Sequence, residues 1–237
     1  MDARSRLIVA LDVPKTEEAL ALVRELRGVV SMFKVGLELI VVGGVPDVVA
    51  ALGPDQRLFL DLKTPSDIPE TVKRTVRAIA SWPSIELLTL DVHTTAPAIR
   101  AAREGRDGKG HPKLLMVSWL SSMDASDLPG GDLDAYLRER VSFARAQGCD
   151  GMIASGDAIA LVRAAWPEAV IVSPGVRAAG AATDDHKRAA TPADAVRAGA
   201  DYLVVGRPIR DAADRRKAAA QFIEEIERGL MERRATA

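Results

Sequence analysis

Leu58-Phe59-Leu60-Asp61-Leu62-Lys63-Thr64-Pro65-Ser66-Asp67-Ile68-Pro69-Glu70-Thr71 begins as a short apolar run and ends in charge. From Arg57 to Lys63 it has the profile of a buried strand, and Asp61 and Lys63, two residues apart, leave the same face. An acid and a base therefore share one wall beyond the strand. A lone Asp-x-Lys is equally a structural ion pair, so the surrounding chain decides between the two readings.

The same pattern of apolar run and amphipathic stretch recurs on both sides. Leu7 to Asp12 is an apolar run ending in an acid, followed by a helical pattern from Thr16 to Arg27 that Thr16 can cap. Met32 to Leu37 is the second strand, followed by a Gly43-Gly44 turn and a short helix to Leu52. After the third strand, Asp67-Ile68-Pro69-Glu70 has the form of an N-cap, a proline in the first turn and a capping acid. Further strands are expected at Ile85 to His93, Lys113 to Leu120, Gly151 to Ser155, Ala169 to Ser173 and Tyr202 to Gly206. The intervening helices include Leu133 to Gln147, stopped by Gly148, and the last helix runs from about Asp211 to Met231.

Eight such units, with strands apolar on both faces, predict a parallel sheet closed into a (β/α)₈ TIM barrel, one domain over residues 1–237. An open doubly wound sheet is the alternative. It is disfavoured because Val13-Pro14-Lys15 stands where a Gly-rich turn would follow the first strand.

The bulk properties narrow the function. With 48% hydrophobic residues in 237 the chain can bury a full core, and a net charge of −1 gives no basic field for a nucleic acid. No apolar run reaches the ~18 residues of a membrane span. The single cysteine, Cys149, and an N-terminus without a signal-type segment fit a reducing cytoplasm.

In such a barrel chemistry collects at the C-terminal ends of the strands. Asp12 ends the first strand, Lys34 interrupts the second, Asp61 and Lys63 end the third, and Asp91 and His93 end the fourth. A lysine inside Phe33-Lys34-Val35 needs a partner, which Asp12 or Asp61 can supply. His93 reads more often as a hydrogen-bonded strand end than as a catalyst and Asp91 as the partner of a loop amide, so both are secondary candidates. A metal on Asp61, Asp91 and His93 is disfavoured by the nearby lysines, so no metal site is expected.

The last quarter carries Ser173-Pro174-Gly175-Val176-Arg177 and Val205-Gly206-Arg207-Pro208 after the last two strands. This is the usual phosphate-binding corner of a barrel: glycines admit backbone amides to phosphate oxygens, and each arginine adds a fork of donors. Ala178 to Ala190, small and polar, has the length of a lid.

With these residues in place, the chain resembles the orotidine 5′-phosphate decarboxylase family over nearly its whole length. The resemblance rests on Leu11-Asp12, Phe33 to Gly36, Asp61-Leu62-Lys63, Asp67-Ile68-Pro69 with Thr71, Ser121-Ser122-Met123, Pro174 to Arg177, Thr191-Pro192 and Gly199 to Ile209. It implies a cofactor-free decarboxylation of orotidine 5′-phosphate to UMP. Asp12 and Lys34 would hold ribose hydroxyls, and Lys34, Asp61, Lys63 and Asp67 would form an alternating charge array with Lys63 as proton donor. Ser122 would contact the pyrimidine, and Pro174, Arg177, Gly206 and Arg207 would line the phosphate site. The resemblance further implies a homodimer in which Asp67, Ile68 and Thr71 enter the partner's site.

The chain departs from the family pattern in three places. Asp61-x-Lys63-x-x-x-Asp67 is one residue longer than the usual spacing, Thr94-Thr95-Ala96-Pro97 replaces a Gly-rich turn, and Asp184-Asp185-His186 stands where the lid usually carries Gly-Asp-Gln. Two other readings remain at this stage: a related Mg²⁺-dependent barrel acting on sugar phosphates, and a UMP-binding barrel without turnover.

Overall fold

In the computed structural model, which describes residues 2–64, 66–118, 131–177 and 190–235, eight parallel strands close into a barrel. The strands are β1 (Leu7–Ala10), β2 (Met32–Val35), β3 (Arg57–Thr64), β4 (Ile85–Leu90), β5 (Lys113–Val117), β6 (Gly151–Ile153), β7 (Val170–Ser173) and β8 (Tyr202–Val205). They pair in chain order, and β8 returns to β1 through Ile8↔Val204. The helices are α1 (Thr16–Glu25), α2 (Leu37–Val41), α3 (Val45–Ala51), α4 (Pro69–Ile79), α5 (Ala96–Gly105), α6 (Leu133–Gln147), α7 (Ala158–Ala165), α8 (Pro192–Ala198), α9 (Arg207–Arg210) and α10 (Arg215–Ala235).

Strand alternation divides the apolar residues into two cores. Ile8, Met32, Phe59, Leu87, Leu115, Ile153, Val172 and Val204 fill the barrel interior, while their neighbours Leu7, Val9, Phe33, Leu58, Leu60 and Leu88 face the helices. The helices answer with stripes of their own. In α4, Val72, Val76 and Ile79 are buried at helical spacing while Lys73, Arg74 and Arg77 lie on the other face. The interior is packed up to one level below the strand ends, so the next inward residues, Asp12, Lys34, Asp61 and Thr89, form a polar layer over an apolar plug. At the opposite end Tyr202 donates its hydroxyl proton to Glu86 Oε1 at 2.9 Å, closing the floor.

Several boundaries differ from the sequence expectation for local reasons. β4 stops at Leu90 rather than His93, because Asp91 turns the chain: its carboxylate accepts the His93 amide at 2.8 Å and its carbonyl accepts the Thr94 amide. The helix expected to be capped by Asp67 starts at Pro69, with Ile68 as its N-cap. A residue before proline is driven to extended backbone, as Ile68 is at φ −51°, ψ 124°, so the helix cannot begin earlier. Thr16 is the first residue of α1, with Lys15 as N-cap. An unforeseen short helix, α2, precedes the Gly43-Gly44 turn, and the stretch after β8 divides into α9 and a longer α10. Gly148 ends α6 in the left-handed conformation, at φ +76°, as expected.

Candidate active site

Consecutive strands deliver the charges of the polar layer side by side. Lys34, on β2, is only 8% exposed, and its Nζ lies 2.8 Å from Asp12 Oδ1 and 3.6 Å from Asp61 Oδ2. Lys63 Nζ lies 2.9 Å from Asp61 Oδ1. The four residues thus form one file, Asp12, Lys34, Asp61, Lys63, in which each charge has an opposite neighbour, the condition for burying Lys34 at all. Burial alone would raise the Asp61 pKa. The Lys34 and Lys63 ammoniums, with hydrogen bonds from Lys63 and Thr89, outweigh it and hold the carboxyl below its ordinary value.

Backbone detail sharpens this file. Gly36 gives Asp12 and Lys34 room, since a Cβ there would stand 2.8 Å from Asp12 Oδ1 and 3.0 Å from Lys34 Nζ. Lys63 has φ +48°, and the β3–β4 register shifts between Leu60 and Thr64. A left-handed non-glycine residue is costly by about 1–3 kcal/mol and persists where the surroundings over-determine it.

Across the mouth, Pro174, Gly175 and Arg177 after β7 and Gly206 and Arg207 after β8 form the opposite wall. With Asp12, Lys34 and Asp61 they enclose a cavity of about 340 Å³. Arg177 is 6% exposed, and its amide donates to Ala190 O at 3.1 Å. The cavity has the Asp12 and Asp61 carboxylates and the Lys34 ammonium on one wall, and the Arg177, Arg207 and Arg210 guanidiniums with a glycine-bounded turn on the other. Such a vessel suits a ligand with an anionic end and a hydroxylated or acidic middle.

The structure therefore brings Asp12, Lys34, Asp61, Lys63, Pro174, Arg177, Gly206 and Arg207 to one end of the barrel. Asp67 and Ile68 are exposed ahead of α4 and Thr71 is half-buried in its first turn. Asp67 Oδ1 accepts the Ile68 amide at 2.6 Å, and among the described residues Asp67 makes no ion pair. Ser122, His186 and the expected lid lie outside the described residues, apart from Ala190. Asp91 caps its own turn and His93 is exposed.

Two participants escaped the sequence reading. Arg210 lines the cavity and donates from Nη1 to the Asp12 carbonyl at 2.5 Å; its spacing of three from Arg207 was the available signal. Thr89 donates to Asp61 Oδ1 at 3.0 Å and accepts from the Lys63 amide at 2.8 Å. It shares the inward face of β4 with Leu87, which parity alone could have shown.

The orotidine 5′-phosphate decarboxylase / HUMPS family model matches residues 5–222. The chain belongs to that family. An orotidine 5′-phosphate decarboxylase of Nitrobacter winogradskyi is 44% identical over 227 residues, covering 93% of this chain and 92% of its relative. One from Rhodopseudomonas palustris strain BisA53 is 39% identical over 231 residues, covering 95% and 96%. Among solved structures, an orotidine 5′-phosphate decarboxylase from Lactobacillus acidophilus superposes with a TM-score of 0.76 at 27% identity, covering 94% of this chain and 99% of that one. The orotidine 5′-phosphate decarboxylase / HUMPS family barrel is thus matched along its length, and the charge file lies within the matched residues.

Proposed function

We propose that this chain is an orotidine 5′-phosphate decarboxylase, converting its substrate to UMP and CO₂ without a cofactor. The observation that carries the reading is the Asp12, Lys34, Asp61 wall, extended by Lys63 through Asp61, facing Arg177 and Arg207 across one cavity, in a chain of this family.

The chemistry follows from the charges. The phosphate sits against Arg177, Gly206 and Arg207, beside Pro174, and the ribose hydroxyls meet Asp12 and Lys34. The substrate carboxylate then lies near Asp61. The C6–carboxylate bond breaks, CO₂ leaves, and the electron pair remains on C6. The Lys63 ammonium stabilises that carbanion and gives it a proton, forming UMP and leaving a neutral amine that solvent reprotonates. Asp61 orients Lys63 through their 2.9 Å contact. Binding energy from the distant phosphate contributes to the reacting centre. Ser122, on the pyrimidine, completes the recognition.

The working unit in this reading is a homodimer with shared sites, each chain one domain over residues 1–237, in the cytoplasm. Asp67 and Ile68 are exposed just past β3, which leaves them available to the partner's site together with Thr71. Leu37, Val41 and Val42, past the neighbouring strand β2, are exposed with Ile68, and Val41 is 84% exposed. Exposed apolar residues past two neighbouring strands favour a subunit interface. Among the described residues no helix is long and apolar enough to cross a membrane.

The test is the absorbance change of orotidine 5′-phosphate on adding purified protein with a chelator present. Rapid loss that disappears in Lys63→Ala, while the variant still binds UMP, is the expected result. Loss that persists in Lys63→Ala removes the proposed proton donor. Absence of turnover, with Mg²⁺-dependent conversion of a hexulose phosphate, would transfer the chain to a sugar-phosphate activity.

A further inference from the structure

The contact that joins Asp61 to Lys63 from outside their own strand comes from a residue without charge. Thr89 lies on the inward face of β4, 1% exposed, two positions above the interior residue Leu87. Its hydroxyl has one proton to give and here gives it to Asp61 Oδ1 at 3.0 Å; the oxygen accepts the Lys63 amide at 2.8 Å. A buried strand threonine ordinarily serves a nearby backbone carbonyl. This one serves the carboxylate and the main chain of the two residues at the reacting end of the file.

The backbone it supports departs from a regular strand. Pairing runs Leu60↔Leu88 and then Thr64↔Leu90, so four steps along β3 are matched by two along β4. Lys63 lies inside that irregularity at φ +48°. Beyond it the segment is tied to the same neighbour: Thr64 O accepts from the Asp91 amide at 3.1 Å and from Thr94 Oγ1 at 3.3 Å, and the Thr95 amide donates to Ser66 Oγ at 2.7 Å. The later contacts hold the end of the detour; the Thr89 hydroxyl holds its reactive middle. A left-handed lysine needs such over-determination.

We infer that Thr89 is a positioning residue of the decarboxylation, its hydroxyl locking the Asp61 carboxylate and the Lys63 backbone into one unit so that the Lys63 ammonium is aimed at the reacting carbon. The inference rests on the decarboxylase reading. Valine has nearly the same shape and can make neither hydrogen bond, whereas serine can make both. Substrate phosphate and ribose are held by other residues, so the hydroxyl bears on the chemical step rather than on affinity.

The experiment measures kcat and KM for orotidine 5′-phosphate and Kd for UMP in the wild type, Thr89→Val and Thr89→Ser. The expected result is kcat lowered about 10- to 100-fold in Thr89→Val, with KM and UMP affinity close to wild type, and most of the rate recovered in Thr89→Ser. Wild-type kcat in Thr89→Val overturns the inference. So does parallel loss of UMP binding, which marks a structural role, and so does equal damage in Thr89→Ser, which assigns the effect to the methyl group. A wild type without turnover overturns the decarboxylase reading itself, before either variant is compared.

Discussion

Lys63 Nζ stands 2.9 Å from Asp61 Oδ1, while the other oxygen of the same carboxylate faces Lys34 Nζ at 3.6 Å. Asp61 is therefore clamped between two ammoniums, one on its own strand and one on β2. A largely desolvated carboxylate in that position stays ionised at neutral pH and is held in the file from both sides.

Acid should dissolve this clamp. Burial pushes the Asp61 carboxyl up, but Lys34 and Lys63 and the hydrogen bonds from Lys63 and Thr89 leave it lower in the folded chain than its ordinary value of 3.8. A depressed folded pKa contributes stability that is fully present above the ordinary value and is lost as pH falls through it toward the folded one. Thermal melts of wild type and Asp61→Asn should accordingly differ near neutrality, with the gap narrowing as pH is lowered below about 4. Other carboxylates titrate in both proteins and cancel in the comparison. A gap independent of pH would remove the charge-clamp account.

Arg207 lines the cavity, and the proposed function sets it against the substrate phosphate. A charge-assisted hydrogen bond of this kind is worth about 1.5–3 kcal/mol, so Arg207→Ala should lower kcat/KM for orotidine 5′-phosphate by roughly 10- to 100-fold. Orotidine, which lacks the phosphate, should be turned over equally by both proteins. If the variant loses the same factor on both substrates, Arg207 acts on something other than phosphate.

Gly36 tests how tightly the first half of the file is packed. Its backbone, φ −98° and ψ −176°, is open to any residue, so alanine introduces no backbone strain. The added Cβ would stand 2.8 Å from Asp12 Oδ1 and 3.0 Å from Lys34 Nζ. Both are ends of movable side chains, so the fold yields there first. Gly36→Ala should melt within a few degrees of wild type yet lose about 10-fold or more in kcat/KM. A large fall in Tm with an intact rate per folded molecule would reverse that assignment.

The sequence announced the barrel because its interior obeys parity. Phe59, Asp61 and Lys63 alternate with Leu58, Leu60 and Leu62, and the same rule places Asp12, Lys34 and Asp61 in one layer. Thr89 stayed hidden because a threonine in Ile85-Glu86-Leu87-Leu88-Thr89-Leu90 is an ordinary strand former. Its contact with Asp61 depends on the irregular β3–β4 register, which strict alternation does not encode. Asp67 is not the cap its sequence suggests because Pro69, lacking an amide and restricting Ile68, moves the helix start one residue on. The departures from the family pattern at Thr64-Pro65-Ser66 and at Thr94-Thr95 looked unrelated in sequence. They meet in space, where Thr94 and Thr95 hold Thr64 and Ser66.

Whether Asp67 works in its own barrel or its partner's can be settled by mixing. In a dimer with shared sites, a Lys63→Ala chain paired with an Asp67→Ala chain contains one doubly defective site and one site with neither change. Random reassortment puts half of the chains' dimers in that mixed form, so two nearly inactive variants should regain about a quarter of wild-type activity after joint unfolding and refolding. Asp67 is exposed and its carboxylate accepts its neighbour's amide rather than joining an ion pair among the described residues, as a side chain awaiting a second subunit would be. Recovery near a quarter assigns Asp67 to the partner's array despite the longer spacing from Lys63. No recovery, with both variants shown to refold and to exchange subunits, confines each site to a single chain.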